Sequence, residues 1–305
     1  MNFCLWWGSK LDQFGGVFEQ VTILGAGLLG ASLGEAAKLK NLAGKVHVWA
    51  RRKEIREKLN AGASWCDRAF AQPAEAVKGA DLIVACTPVE HIVELFADIR
   101  DSIRNDALVT DVGSVKQQIC ETGRASFLAK GVFIGSHPMA GSEKSGLENA
   151  DPRLYEGRNC FVTPFPDENI DAEITKLRNF WESLGMRVTL TSPSDHDLIV
   201  AHISHLPHFL ASALAYHLSK KPSSWDNLCG GGLKDTTRIA AGDPGMWTDI
   251  AKQNRGQILL ALDEFEESLK HLREHLHAEE AHAIKEFLKT GQTYRRRLPS
   301  SYESD

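Results

Sequence analysis

The stretch VTILGAGLLGASLG, residues 21–34, constrains this chain more than any other. A short apolar run ends at Leu24, three glycines follow as Gly25-x-Gly27-x-x-Gly30, and a helical pattern of small and apolar residues starts at once. That order asks for a strand, a tight turn and a helix. The first glycine lets the turn close, the second lets a pyrophosphate approach the backbone, and the third lets helix and strand pack. Leu28 and Leu29 then open the helix, where free N–H groups face a phosphate. Taken bare, the motif also suits an ordinary glycine-rich turn; its early position and the pattern that follows favour a dinucleotide.

That pattern is an alternation. Strands are expected at 21–24, 46–50, 81–86, 107–111, 132–135, 159–163 and 187–190, most of them short apolar runs bounded by Gly, Pro, Asp or Ser, with helices such as 53–60 and 90–103 between them. Such runs suit strands covered on both faces, and βα alternation calls for a parallel sheet with helices on both sides. From Ser194 onward no strand is expected. Ser194 or Asp195 is expected to cap a long helix through Ile199, Ile203, Leu206, Phe209, Leu210 and Leu214, kinked or broken near Pro207. Further helices are expected over about 225–240, 244–271 and 278–290, with Asp243 as N-cap before Pro244. The expected fold is an α/β Rossmann-type amino-terminal domain, 20–192, followed by an all-α carboxy-terminal domain, 193–292. An extension at 1–19 and a disordered tail at 293–305 flank them.

The length of 305 residues independently points to two domains. A formal net charge of -5 gives no overall basic footprint for nucleic acid. The six cysteines are scattered and form no C-x-x-C, as expected of reduced thiols in a cytoplasmic protein. No uninterrupted apolar run approaches the roughly 20 residues that span a bilayer, and the apolar start lacks the basic region and cleavage site of a signal peptide.

If the dinucleotide were NAD, the second strand should end in an acid that holds the ribose diol. Here it ends VHVWARR, with Arg51 and Arg52 in place of the carboxylate. Arginine can grip a 2′-phosphate by a forked pair of hydrogen bonds, so NADP is favoured and NAD is the alternative. The competing reading leaves both arginines as exposed residues at the start of helix 53–60. Thr87 and Pro88 form a turn after strand 81–86, and Asp111-Val-Gly-Ser114-Val-Lys116 follows the next strand. Both lie where open α/β sheets bind ligands.

The loop GSHPMAGSEKSG, 135–146, crowds a histidine, two serines, a glutamate and a lysine after a short apolar run. With TDVGSVK (110–116), EGRNCFVTP (156–164), ISHLPH (203–208) and KDTTRIAAGDPGMW (234–247), it resembles the prephenate/arogenate dehydrogenase family of tyrosine biosynthesis, over about residues 20–290 and in the family's order. The resemblance implies oxidative decarboxylation of prephenate to 4-hydroxyphenylpyruvate with hydride transfer to NAD(P). Arogenate is the alternative substrate, and a β-hydroxyacid dehydrogenase-like oxidoreductase is a more distant one. It implies His137 as the base at the C4 hydroxyl, Ser114 beside it and the nicotinamide, and Arg238 on a substrate carboxylate. Ser142 is implied at the substrate side chain, His205 and His208 as pocket walls, Trp247 at the pocket's far end, and Glu143 in a charge network with Lys144, Asp197 and Arg238. A homodimer through the helical domain is implied as well. His202, His205 and His208 are spaced by three, unlike the i, i+4 pairs of zinc helices, and no metal is expected.

Overall fold

A computed structural model describes residues 18–140 and 146–298. Six strands form a parallel sheet in the order β3-β2-β1-β4-β5-β6: β1 (Phe18–Leu24), β2 (Ala43–Trp49), β3 (Arg68–Phe70), β4 (Leu82–Ala85), β5 (Leu108–Asp111) and β6 (Val132–Phe133). Strand order reverses at β1/β4, the switch point at which doubly wound sheets bind ligands. The register places Trp49, Leu24, Ala85 and Asp111 in one transverse row. The loops after β2, β1, β4 and β5 therefore emerge side by side along the carboxyl edge. Helices α1 (Leu28–Leu39), α2 (Lys53–Asn60), α3 (Pro73–Ala76), α4 (Val89–Ile99) and α5 (Gln117–Phe127) complete the crossovers.

Two features of this domain differ from expectation. β3 is not among the expected strands, because Arg-Ala-Phe is too short to form an apolar run. The strand expected at 132–135 is two. β6 stops at Phe133, and β7 (Gly135–Pro138) leaves the sheet to pair antiparallel with β8 (Asn159–Thr163), itself parallel to β9 (Arg187–Leu190). The crossing is tight at Gly135: a Cβ there would lie 2.5 Å from Cys120 Sγ and 2.6 Å from Thr163 Oγ1. Helix α6 (Asp171–Ser183) joins β8 to β9 and buries Trp181. One core lies on the α1/α6 face with Phe18, Tyr155 and Trp181; the other lies on the α4/α5 face with Phe96, Phe127 and Phe133.

The second core continues into the helical domain through Ala201, Ile250, Ile258 and Ala261. There, α7 (Pro193–Val200) and α8 (Leu206–Leu218) are joined by a π turn, Ala201–His205. The N-cap is Ser192, whose Oγ accepts from Asp195 N at 3.1 Å, two residues before the earliest expected cap. Pro207 has no N–H to offer, and the chain widens just before it: Leu206 N donates to Ala201 O, five residues back. The helix expected at 225–240 is broken by Gly230-Gly231-Gly232 into a 3-10 turn, α9 (Gly231–Thr237) and a second 3-10 turn (Arg238–Ala241). The helix expected at 244–271 is α10 (Pro244–Gln253) and α11 (Arg255–His277), interrupted at Asn254; Asp243 caps α10 through Met246 N at 2.8 Å. The last helix, α12 (Ala281–Arg297), takes in residues 293–297 of the expected tail. The rest of the expected tail beyond 298, and the extension up to residue 17, lie outside the described residues.

By length and composition, 193–218 is a helix that could cross a membrane. Its inward face, however, carries His196, Asp197, His205 and His208, all buried against the rest of the molecule.

Candidate active site

The glycine turn has the geometry its spacing demands. Gly25 adopts φ +117°, and a Cβ on it would lie 2.7 Å from Cys86 O. A Cβ on Gly30 would overlap the Gly25 carbonyl oxygen, so helix α1 can meet β1 only through glycine. Gly27 is different: nothing lies within 4 Å of a Cβ built there. It faces the open groove bounded by Gly25, Ala50, Arg51, Arg52, Thr87 and Pro88. No side chain caps α1, so the N–H groups of Leu28, Leu29 and Gly30 are left for a ligand. Thr87 Oγ1 is buried on the groove wall without a hydrogen-bond partner. An orphaned hydroxyl, a bare helix start and a glycine facing open space all fit a dinucleotide.

Arg51 and Arg52 line the same groove, and Arg56 Nη1 donates to the carbonyls of Ala50 and Arg51 at 2.8 and 2.7 Å, fixing that turn. Trp49 and Ile55 on one wall, and His91, Glu94 and Asp98 on α4, also border it. Sequence reasoning misses these because a wall residue has no motif of its own.

Past Thr87 the carboxyl edge leads to the β5–α5 loop. Asp111 pairs with Lys116 Nζ, both fully buried, and accepts from Gly113 N at 2.8 Å and Ser136 N at 3.2 Å. Burial pushes the Asp111 carboxyl up, against the pull of Lys116. This knot pins loop 111–116 to β7 and holds Ser114 half-buried on the edge. No hydrogen bond joins Ser114 to His137 among the described residues.

His137, on β7, is 8% exposed. Its Nδ1 lies 2.9 Å from His196 Nε2, and His196 Nδ1 lies 2.8 Å from Asp197 Oδ1. Asp197 also accepts from the first N–H groups of α5: Lys116 N at 2.7 Å and Gln117 N at 2.9 Å. It therefore serves the helix start and His196; the expected charge network runs through Glu143 and Lys144, which lie outside the described residues. Burial above all, with His196, Lys116 and His205 adding to it, holds the His137 imidazole well below the ordinary histidine range. The depressed value keeps this imidazole neutral at neutral pH.

The helical domain supplies the other wall. His208 stacks on Trp247 at 3.5 Å and 7°, and His205 meets the same indole edge-on at 6.0 Å. Burial lowers the His205 pKa to about 4. Asn254 Nδ2 bonds Asp197 O at 2.8 Å and lies 3.2 Å from His205 Nδ1. Arg238 is exposed beside Ile239, whose carbonyl bonds His208. His202 turns away, 3.9 Å from Glu264 on α11. The other two residues tied to the loop, Ser142 and Glu143, lie outside the described residues, as does Lys144.

Comparison with known proteins bears directly on this arrangement. Residues 36–190 match the family model described as prephenate dehydrogenase, nucleotide-binding domain, and residues 192–290 match prephenate dehydrogenase, dimerization domain. The chain belongs to the prephenate dehydrogenase family. It is 30% identical to a cyclohexadienyl dehydrogenase of Zymomonas mobilis over 94% of this chain and 98% of that one. It is 31% identical to a prephenate dehydrogenase of Bacillus subtilis over 92% of this chain and 76% of the other. Among solved structures, prephenate dehydrogenase from A. aeolicus in complex with hydroxyphenyl propionate and NAD+ superposes with a TM-score of 0.84 at 31% identity, covering 91% of this chain and 97% of that one. The boundary between the two family models falls beside Ser192, the cap of α7. In this prephenate dehydrogenase family member, His137 and Thr87 lie in the first part, and His196, His205, His208, Arg238 and Trp247 lie in the second.

Proposed function

We propose that this chain catalyses the oxidative decarboxylation of prephenate to 4-hydroxyphenylpyruvate, as a cytoplasmic homodimer using NADP. The observation that carries the reading is a buried, neutral His137 on β7, next to the carboxyl edge of a dinucleotide sheet, with its imidazole against His196 of the helical domain.

Gly25, Gly27, Leu28, Leu29, Gly30, Thr87 and Pro88 would hold the cofactor, which would supply the hydride acceptor. His137 accepts the C4 hydroxyl hydrogen bond and takes its proton as C4 becomes carbonyl-like. The C1 carboxylate leaves as carbon dioxide, its bonding pair closes the aromatic ring, and the proton returns to the phenol oxygen. A base with a depressed pKa is free to act at neutral pH. Ser114 orients the reacting end. Arg238 holds a substrate carboxylate, which explains a guanidinium unengaged among the described residues. Ser142 and Glu143 contact the substrate side chain or support Arg238. The His208–Trp247 stack offers a flat apolar wall to the ring.

For NADP over NAD, the support is the turn after β2: two arginines, no carboxylate, and a backbone fixed by Arg56. For the dimer, it is apolar surface. Tyr216 is 66% exposed, Leu276 57% and Leu288 60%, and α12 buries no residue. All three lie in the segment that matches the family's dimerization domain, and exposed apolar surface of this kind suits an interface.

The test is a steady-state assay of prephenate and arogenate with each cofactor, following reduced nicotinamide and carbon dioxide together. Prephenate with NADP is expected to give the highest kcat/KM. Alanine at Arg51 and Arg52 should lower kcat/KM for NADP about ten- to a hundredfold, as expected for a charged contact worth roughly 1.5–3 kcal/mol, and spare NAD. A wild-type preference for NAD would return both arginines to the role of helix-start residues.

A further inference from the structure

We propose that His196 and Asp197 are positioning residues that fix which nitrogen of His137 carries the proton. The inference deepens the reading of His137 as the base and rests on it.

It follows from counting donors. The Asp197 carboxylate accepts at both oxygens, from Lys116 N at 2.7 Å and Gln117 N at 2.9 Å. It has no proton to give, so His196 Nδ1, 2.8 Å from Oδ1, is the donor. A neutral imidazole carries one N–H, which leaves His196 Nε2 as an acceptor. His137 Nδ1, 2.9 Å from it, must then donate. His137 Nε2 is consequently bare, and it alone can receive the hydroxyl proton. The opposite tautomer of His137 would set two lone pairs against each other in a buried site. Once Nε2 is protonated, Nδ1–H keeps its bond to His196, so the new imidazolium faces Asp197 through one intervening ring.

The surroundings keep both rings neutral beforehand. Groups around His137 are His196 and Asp197 on α7, His205 on the π turn, Lys116 with Asp111 at the β5–α5 loop, and Cys160 on β8. Burial holds His196 as well as His137 below the ordinary histidine range. The His196 ring also packs edge-on against Phe161, at 5.1 Å and 86°, so a ring of similar size can replace it.

The experiment records imidazole nitrogen NMR shifts of the full-length protein carrying isotope-labelled histidine, with His137→Asn to assign the signals. Wild type should show His137 protonated at Nδ1 and bare at Nε2. His196→Phe should release that preference and lower kcat about tenfold or more, with cofactor KM unchanged. His196→Gln, whose amide oxygen can accept from His137 Nδ1, should restore the tautomer and most of kcat. A wild-type His137 protonated at Nε2 overturns the proposal. So does a His196→Phe variant with wild-type shifts and kcat, or a Gln variant no better than Phe. If instead His137→Asn keeps normal turnover, the base assignment fails while the tautomer result stands or falls by itself.

Discussion

Burial, His196, Lys116 and His205 all work against a positive charge on His137, and that has a kinetic signature. A base must be unprotonated, so kcat rises with pH through the pKa of the working complex and then stays flat. Because burial depresses that pKa below the ordinary value of 6.5, the plateau should already be reached at neutral pH, with activity falling only on the acid side. His137→Asn should lower kcat by about 10²–10⁴-fold and abolish the acid limb, with substrate KM little changed. An inflection at or above the ordinary histidine value would show that another group controls the rate. At this scale the sequence is uneven. His137 is legible because it sits in an unusual loop after an apolar run. His196 and Asp197 are not, since a histidine and an aspartate near a helix start read as ordinary cap chemistry, and their role exists only where α7 meets β7 and α5. The family motifs name Asp197 only as a member of a charge network with Glu143, Lys144 and Arg238; its bonds to the N–H groups of Lys116 and Gln117 come from tertiary packing.

At the scale of the element, the β1–α1 unit separates two glycines that look equivalent as letters. Gly27 has ordinary backbone angles and open space beside it, so Gly27→Ala should leave the melting temperature near wild type while raising cofactor KM. Gly30→Ala drives a methyl into the Gly25 carbonyl and should destabilise the fold, by about 1–3 kcal/mol as overpacking does. Thermal melts with and without cofactor distinguish them; equal loss of stability in both would contradict the geometry. Elements were readable where periodicity is long or boundaries are sharp, as in β8, β9 and α2, whose expected bounds match. They failed where tertiary structure overrides local pattern. A helical repeat continues across Asn254, but that side chain is drawn to Asp197 and His205, and the helix breaks there. The apolar run at 132–135 has no mark of its division; the close packing at Gly135 comes from residues 15 and 28 positions away, Cys120 and Thr163.

At the scale of the molecule, the exposed leucines of α11 and α12 call for a second chain. Sedimentation should give a particle of twice 33.7 kDa. Replacing Leu276 and Leu288 by glutamate should shift it toward the single chain, and a wild-type monomer would refute the assignment of that face. Asp197 matters at this scale too. Its carboxylate closes the start of α5 in the sheet domain, while its own carbonyl is held from the α10–α11 junction by Asn254. Swinging the two lobes apart would strand a buried carboxylate and two backbone N–H groups. The lobes are therefore expected to melt together, in a single calorimetric endotherm, where loosely joined domains would give two. An enzyme braced in this way keeps its reacting groups assembled between turnovers, and stopped-flow mixing with substrate should show hydride transfer without a preceding lag.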